Sequence, residues 1–195
     1  MTTARIAPGL VLDAVLFDAA QAGVAAHVPG LAPLTWARFT SPGDWTLVPD
    51  DRGDGYKAEL VLINTRESTA KVNLWFAADL RGGQQSTPHS HPWAFDAHVL
   101  LGGYSEDRYT PSADGAVRCE PGVEHLAGGV NSVPREVYHE VTEIHESGRT
   151  LTLMVCGRGD RGSWGYLDLA TGLHRAAEPD PGFGERLRAL NPQHR

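Results

Sequence analysis

The sequence predicts an all-β domain of short antiparallel strands closed into a sandwich or barrel. From residue 34 onward it runs in brief stretches of β-branched, aromatic and alternating residues. Turn-forming clusters separate them: Asp51-Arg52-Gly53-Asp54-Gly55, Arg81-Gly82-Gly83, Ala113-Asp114-Gly115, Ala127-Gly128-Gly129 and Glu146-Ser147-Gly148. Many short strands with turns at this spacing indicate antiparallel sheets rather than βαβ units.

Taken in order, the first element is a helix over 11–28 (VLDAVLFDAAQAGVAAHV), Ala-rich, apolar at helical spacing and stopped by Pro29-Gly30. It is expected to pack against the main body and carries no chemistry; His27, near its end, reads as a cap or surface residue. Strands are expected at 34–40 (LTWARFT), 57–64 (KAELVLIN), 70–77 (AKVNLWFA), 86–91, 96–104, 116–119, 137–145, 150–156 and 164–168. A short helix over 184–190 closes the chain before a frayed tail.

The bulk numbers bound the function. With 195 residues the chain is one domain, large enough to bury a core without disulfides. Its apolar share of 41% suits a globular protein. A net charge of −7, a pI near 5.7 and only two lysines, Lys57 and Lys71, argue against nucleic acid as a partner. Cys119 and Cys156 form neither a disulfide framework nor a thiolate metal site, and Cys156 is expected packed in a strand. No cleavable leader and no transmembrane stretch is seen, so a cytoplasmic protein without membrane contact is expected. A small-molecule substrate is the expected partner, and a homodimer is compatible with the sequence.

The chemistry concentrates in Thr87-Pro88-His89-Ser90-His91-Pro92-Trp93-Ala94-Phe95. In a strand, side chains at i and i+2 share a face with Cα atoms roughly 6.6 Å apart. Two imidazoles held that way can close on one metal ion if a third ligand arrives from elsewhere. His139, at the start of another strand-like run, is the candidate. The competing reading of the pair is a polar surface strand.

These residues resemble the cupin superfamily. Its first motif, G-x5-H-x-H-x(3,4)-E-x6-G, is matched by Gly83, His89, His91 and Gly103, with Asp96 where the family has Glu. The second, G-x5-P-x-G-x2-H-x3-N, is matched by Gly128, Pro134 and His139, with Glu136 at the second glycine and Glu143 in place of Asn. The segment His91-Pro92-Trp93, Gly102-Gly103-Tyr104, Glu106 is also similar to a group of small bacterial cupins. The resemblance implies a double-stranded β-helix, or jelly roll, over about 55–170. An N-terminal helical extension (about 1–50) and a C-terminal tail (about 171–195) would be additions to it. It further implies one divalent metal ion per chain on His89, His91 and His139. Asp96 would be a fourth ligand or, one methylene short, an acceptor orienting a ligating imidazole.

Other residues are weighed on that frame. His98 shares a strand face with Asp96, so it is a candidate fourth ligand, an acid/base near the metal, or a core histidine. Glu143 shares a face with His139 and is a candidate ligand or general base. His145 is expected exposed at a turn, His125 in a loop over the barrel mouth, and Arg81 in a turn or against a substrate carboxylate. Trp75, Trp93, Phe95 and Tyr104 are expected in the core, with one or two lining a pocket. Histidine ligands suit Fe(II), Mn, Co, Ni, Cu or Zn. His91 occupies the position where 2-oxoglutarate oxygenases carry a carboxylate. The expectation is therefore a 2-oxoglutarate-independent Fe(II) dioxygenase, with three histidines on the metal, Asp96 behind them and His98 near the substrate. The alternatives are a Lewis-acid isomerase, epimerase or dehydratase, and a non-catalytic small-molecule binder. Metal affinity is expected to fall as pH drops through about 6.5.

Overall fold

The computed structural model describes residues 2–79, 87–113, 115–159 and 164–194. Arg81, Gly82, Gly83, Asp114 and the start of the expected 86–91 strand lie outside the described residues. The chain opens with a hairpin, β1 (Thr3–Ala7) and β2 (Leu10–Asp13), which leads into α1 (Ala14–His27). Asp13 caps that helix by accepting from the Leu16 N–H at 3.0 Å, which satisfies an orphan donor of the first turn. This cap explains why the helix begins three residues later than its apolar pattern. α1 buries Leu16, Ala20, Gly23 and Val24 on one face. The expected strand at 34–40 is instead one helical turn, α2 (Trp36–Phe39), because Thr35 accepts from Arg38 N–H and starts a turn where the propensity reads strand.

The strands follow: β3 (Trp45–Pro49), β4 (Gly55–Asn64), β5 (Thr69–Trp75), β6 (His89–Ser90), β7 (Phe95–Leu101), β8 (Gly103–Pro111), β9 (Val117–Leu126), β10 (Val130–Val133), β11 (Tyr138–Ile144), β12 (Thr150–Cys156), β13 (Gly165–Leu167) and β14 (His174–Ala176). The helix α3 (Phe183–Leu190) and a 3-10 turn at Pro192–His194 close the chain. The strands form two six-stranded antiparallel sheets, ordered β10-β7-β12-β5-β4-β3 and β14-β13-β6-β11-β8-β9. They face each other: Val99 of the first sheet packs with Tyr104 and Val141 of the second. This is the expected jelly roll. The run read as one strand at 96–104 is two, because Gly102 turns the chain at φ +64, a left-handed conformation that side chains disfavour. β9 is longer than the expected 116–119: Pro121 and Gly122 together oppose Asp107 in a bulge, and the strand resumes beyond it.

The first sheet is sided in an informative way. Ala58, Leu60, Val72, Leu74, Leu151 and Leu153 face outward and join Leu10, Leu12, Leu16, Val24, Phe39 and Trp45 in the main hydrophobic core. Each fully buried side chain of this kind contributes about 1.5–3 kcal/mol. The alternate residues Lys57, Glu59, Lys71, Asn73 and Thr152, linked by cross-strand register, therefore face the barrel interior. The C-terminal segment is not frayed where it meets the barrel. The buried Asn191 side chain accepts from Leu47 N–H at 2.7 Å and donates to Leu47 C=O at 2.8 Å. It thus pairs with the edge strand β3 as another strand would. Replacing it leaves a buried backbone N–H and C=O unpaired. Asn191→Ala should lower unfolding free energy by about 1–3 kcal/mol in urea titration; an unchanged midpoint would show that α3 docks without this contact.

Candidate metal centre

The second sheet brings the three histidines together. His89 in β6 lies directly across from His139 in β11. His91 lies just beyond the end of β6 on the same side. The ring centroids make a near-equilateral triangle: 5.0 Å from His89 to His91, 4.9 Å from His89 to His139 and 5.2 Å from His91 to His139. One ring nitrogen from each lies within 4.8 Å of the others. His91 Nε2 and His139 Nε2 are 3.0 Å apart. Two imidazole nitrogens bound to one ion at about 2.1 Å and near right angles would be separated by roughly that distance. Burial, then the neighbouring His139 and His89, pushes the His91 pKa well below its ordinary value, so the ring stays neutral as a ligand must.

His139 is aimed by Glu106, which sequence reasoning gave no role. Glu106 is fully buried in β8 and faces inward. Its Oε2 accepts from His139 Nδ1 at 2.7 Å. Its Oε1 accepts from His125 Nε2 at 3.0 Å, Arg108 Nε at 2.6 Å and Asn131 Nδ2 at 3.0 Å. Burial alone would raise the Glu106 pKa, but the bonds from His125, His139 and Arg108 hold it well below the usual carboxylate range. An ionised carboxylate only accepts, so both histidines donate to it, and His139 Nε2 is left with a lone pair facing His91. His125, expected in a loop, is thus a β9 residue supporting this network, and its ring lies tilted at 5.0 Å from the Tyr104 ring.

Three residues expected at the site face away from it. Phe95, Ala97 and Val99 point into the barrel, and alternation turns Asp96 and His98 outward. Asp96 is exposed and accepts from Ser132 Oγ at 2.6 Å. His98 stacks at 3.7 Å on His27 of α1. Neither the fourth-ligand nor the near-substrate position applies to them. The family motif allows three or four residues before its carboxylate; here the inward position is the three-residue one, and it holds Phe95. That ring lies edge-on to His91 at 4.9 Å and tilted to His139 at 5.9 Å. Glu143 is exposed because a register shift between Val141 and Glu143 reverses the strand's parity and turns Ile144 inward instead. His145, at the following turn, bonds Ser105 Oγ at 3.0 Å.

A cavity of about 800 Å³, bounded by β3, β4, β13 and α3, approaches the histidines at Asp79 and Tyr166, although none of the three lines it. Asp79 lines it, buried, with Oδ2 4.0 Å from His89 Nε2 and 3.5 Å from the Tyr56 hydroxyl that donates to it. Tyr166, the cross-strand partner of His89, lines it too. Lys57 and Glu59 reach it from the interior face of β4. Glu59 Oε1 accepts from Lys57 Nζ at 3.0 Å and Lys71 Nζ at 2.8 Å. Burial opposes ionisation of Glu59, but the two ammoniums win and hold its pKa at about 2. Cys156 is buried in β12, as expected, and burial pushes its thiol up to about 11, so it is an inert core residue. Trp75 donates to Thr152 Oγ1 at 3.0 Å inside the barrel. The cavity residues carried no readable motif; the signal for them was the alternation Lys57-Ala58-Glu59-Leu60, whose polar face the sequence alone leaves undirected.

No family model matches the chain, and no curated protein matches it. Among solved structures, it is similar to KdgF from Halomonas sp., at 14% identity over 55% of this chain and 84% of that one, with a TM-score of 0.39. An RmlC-like cupin from Shewanella frigidimarina gives 15% identity over 60% of this chain and 86% of that one, with a TM-score of 0.35. Oxalate decarboxylase from Bacillus subtilis gives 16% identity over 58% of this chain and 27% of that one, with a TM-score of 0.38. At such values the chemistry has to be read from the site's own residues.

Glu106→Met keeps the side-chain length but removes the oxygen acceptors that orient His139. It should weaken metal binding about 10–100-fold in competition with a chelator; undiminished affinity would show that His139 is oriented by packing alone. The depressed His91 pKa means that its neutral form persists to lower pH than an ordinary imidazole. Acid release of metal should therefore reach its midpoint below about pH 6.5, later than three unperturbed imidazoles would give. A midpoint at or above that pH would contradict the burial argument.

Proposed function

We propose that this cupin-type jelly roll is a metal-dependent enzyme, and within that class a 2-oxoglutarate-independent Fe(II) oxygenase of a small organic molecule. The observation that carries the proposal is the donor set. His89, His91 and His139 converge, and an apolar ring, Phe95, stands where the family motif would bring a carboxylate. Fe(II) held by three neutral imidazoles would supply positions for a chelating substrate and for O2. The chain's own residues do the rest. Glu106 holds the proton on His139 Nδ1 and leaves Nε2 free to bind. Phe95 covers the His91 and His139 rings and keeps water from that side. Asp79, 4.0 Å from His89, lines the cavity through which a substrate would enter from the β3 and α3 side.

The Lewis-acid isomerase or dehydratase reading needs a proton carrier at the site; its two sequence candidates, Glu143 and His98, face away from the histidines, which leaves Asp79, 4.0 Å from His89, for that role. Purification without added metal, elemental analysis and oxygen-electrode assays with a panel of small acids, alcohols and thiols test the proposal. The expected result is about one equivalent of iron per chain and substrate-dependent O2 uptake that His91→Ala abolishes. Substrate turnover without O2 uptake would overturn the oxygenase reading. Protein that takes up no divalent metal would overturn the metal site itself.

A further inference from the structure

The end of α1 meets the outer face of the first sheet through two histidines that the metal centre does not use. The rings of His27, the last residue of α1, and His98 of β7 are stacked almost parallel, with 3.7 Å between centroids and 12° between planes. Helix and strand also approach closely beside them: a Cβ on Gly23 would lie 2.5 Å from Leu100 Cδ2. Gly23 is one turn before His27, and Leu100 is two residues after His98, so both contacts lie along one seam. The same helix buries Leu16, Ala20 and Val24 in the main core.

The surroundings of the pair offer little to a second positive charge. His98 Nδ1 is buried and has no hydrogen-bond partner among the described residues. An imidazolium carries an N–H on both ring nitrogens, so protonation would leave a buried charged donor unanswered there. Asp96 shares the outward face of β7, but its carboxylate is exposed and accepts from Ser132 Oγ. The strand partners of His98, Val130 in β10 and Leu153 in β12, are apolar. β10 holds no ionisable group, and β12 holds only Cys156, which faces the barrel interior. The other ionisable residue of α1 is Asp18, about 13 Å from His27 along the helix axis. Residues 28–34, which leave α1, and 127–129, which lead into β10, hold none. Burial, then His27, pushes the His98 pKa below its ordinary value, against an opposite pull from Asp96.

We propose that His27 and His98 form an acid-sensitive latch: uncharged or carrying one proton, they hold the end of α1 on the sheet, and a second proton drives the rings apart. One imidazolium can stack on a neutral ring, whereas two at this distance repel. His98 is harder to protonate in the folded chain than in the unfolded one. The latch therefore contributes its full stability above about pH 6.5 and loses it as pH falls through the folded value of His98. Its response is separate from that of the metal centre, since His98 points out of the barrel.

NMR titration of the imidazole protons of the full chain, from about pH 8 down to about pH 4.5, reads the pair directly. The His98 midpoint should lie below about pH 6.5, and His27→Gln should move it upward. A wild-type midpoint at or above that pH overturns the latch without any variant having to fold, and so does a midpoint that His27→Gln leaves in place. Hydrogen exchange reads the release. Between about pH 7.5 and about pH 5, protection of the amides in residues 14–27, corrected for the intrinsic rate, should fall at least about tenfold, the equivalent of one pKa unit. In His98→Phe, whose ring can stack but not titrate, it should fall by less than about threefold. Both proteins keep His89, His91 and His139, so acid effects of the metal centre are common to them. An equal loss of protection in the two proteins would overturn the latch.

Discussion

The buried Glu106 carboxylate is the constraint on which the site depends. A carboxylate withdrawn from water costs several kcal/mol unless its lone pairs are filled. Here four donors fill them, from β8, β9, β10 and β11, so the group ties the two sheets together. Asn131 closes the network by donating to the Tyr104 hydroxyl oxygen at 2.7 Å and accepting from Arg108. With Oε1 held by three donors and Oε2 accepting from Nδ1, the ring of His139 has one tautomer and one direction. The nitrogen that His139 would offer to a metal is therefore set before any ion arrives.

A polar barrel interior is affordable because the hydrophobic core lies elsewhere. The first sheet turns its leucines and valines outward, where β1, β2 and α1 cover them. The N-terminal segment is thus the other half of the main core rather than an addition to a finished barrel. The inner face is left free for Lys57, Glu59, Lys71 and Asn73, which would be out of place in a closed apolar sandwich. The C-terminal end has a comparable role at the cavity: Asn191 fastens α3 to the edge of β3, and Phe183 of that helix lines the opening.

What the sequence shows of this site follows from how local each signal is. His89 and His91 are readable because an i, i+2 pair is a local rule, and His139 because a second motif marks it. Asp96, His98 and Glu143 are misplaced by parity. Phe95 and Asp96 are adjacent, one step apart in the alternation, and a single bulge after Val141 swaps Glu143 for Ile144; neither slip is visible without the register of the neighbouring strand. Glu106 stands in a recognisable run, Gly103-Tyr104-Ser105-Glu106, but its meaning depends on pairing between β8 and β11, more than thirty residues apart. The fold class was legible from turn spacing, while α2, the split at Gly102 and the long β9 depended on a cap, a left-handed glycine and a bulge.

The most direct measurement is X-ray absorption at the edge of the bound metal, because it counts the ligands themselves. The structure predicts three imidazoles at about 2.0–2.2 Å, seen by their outer-ring scattering, with remaining positions filled by light atoms from solvent. Replacing His91 with alanine should reduce the imidazole count to two. A shell made of oxygen alone, or an imidazole count unchanged by that substitution, would contradict the assignment of His89, His91 and His139 as the metal ligands.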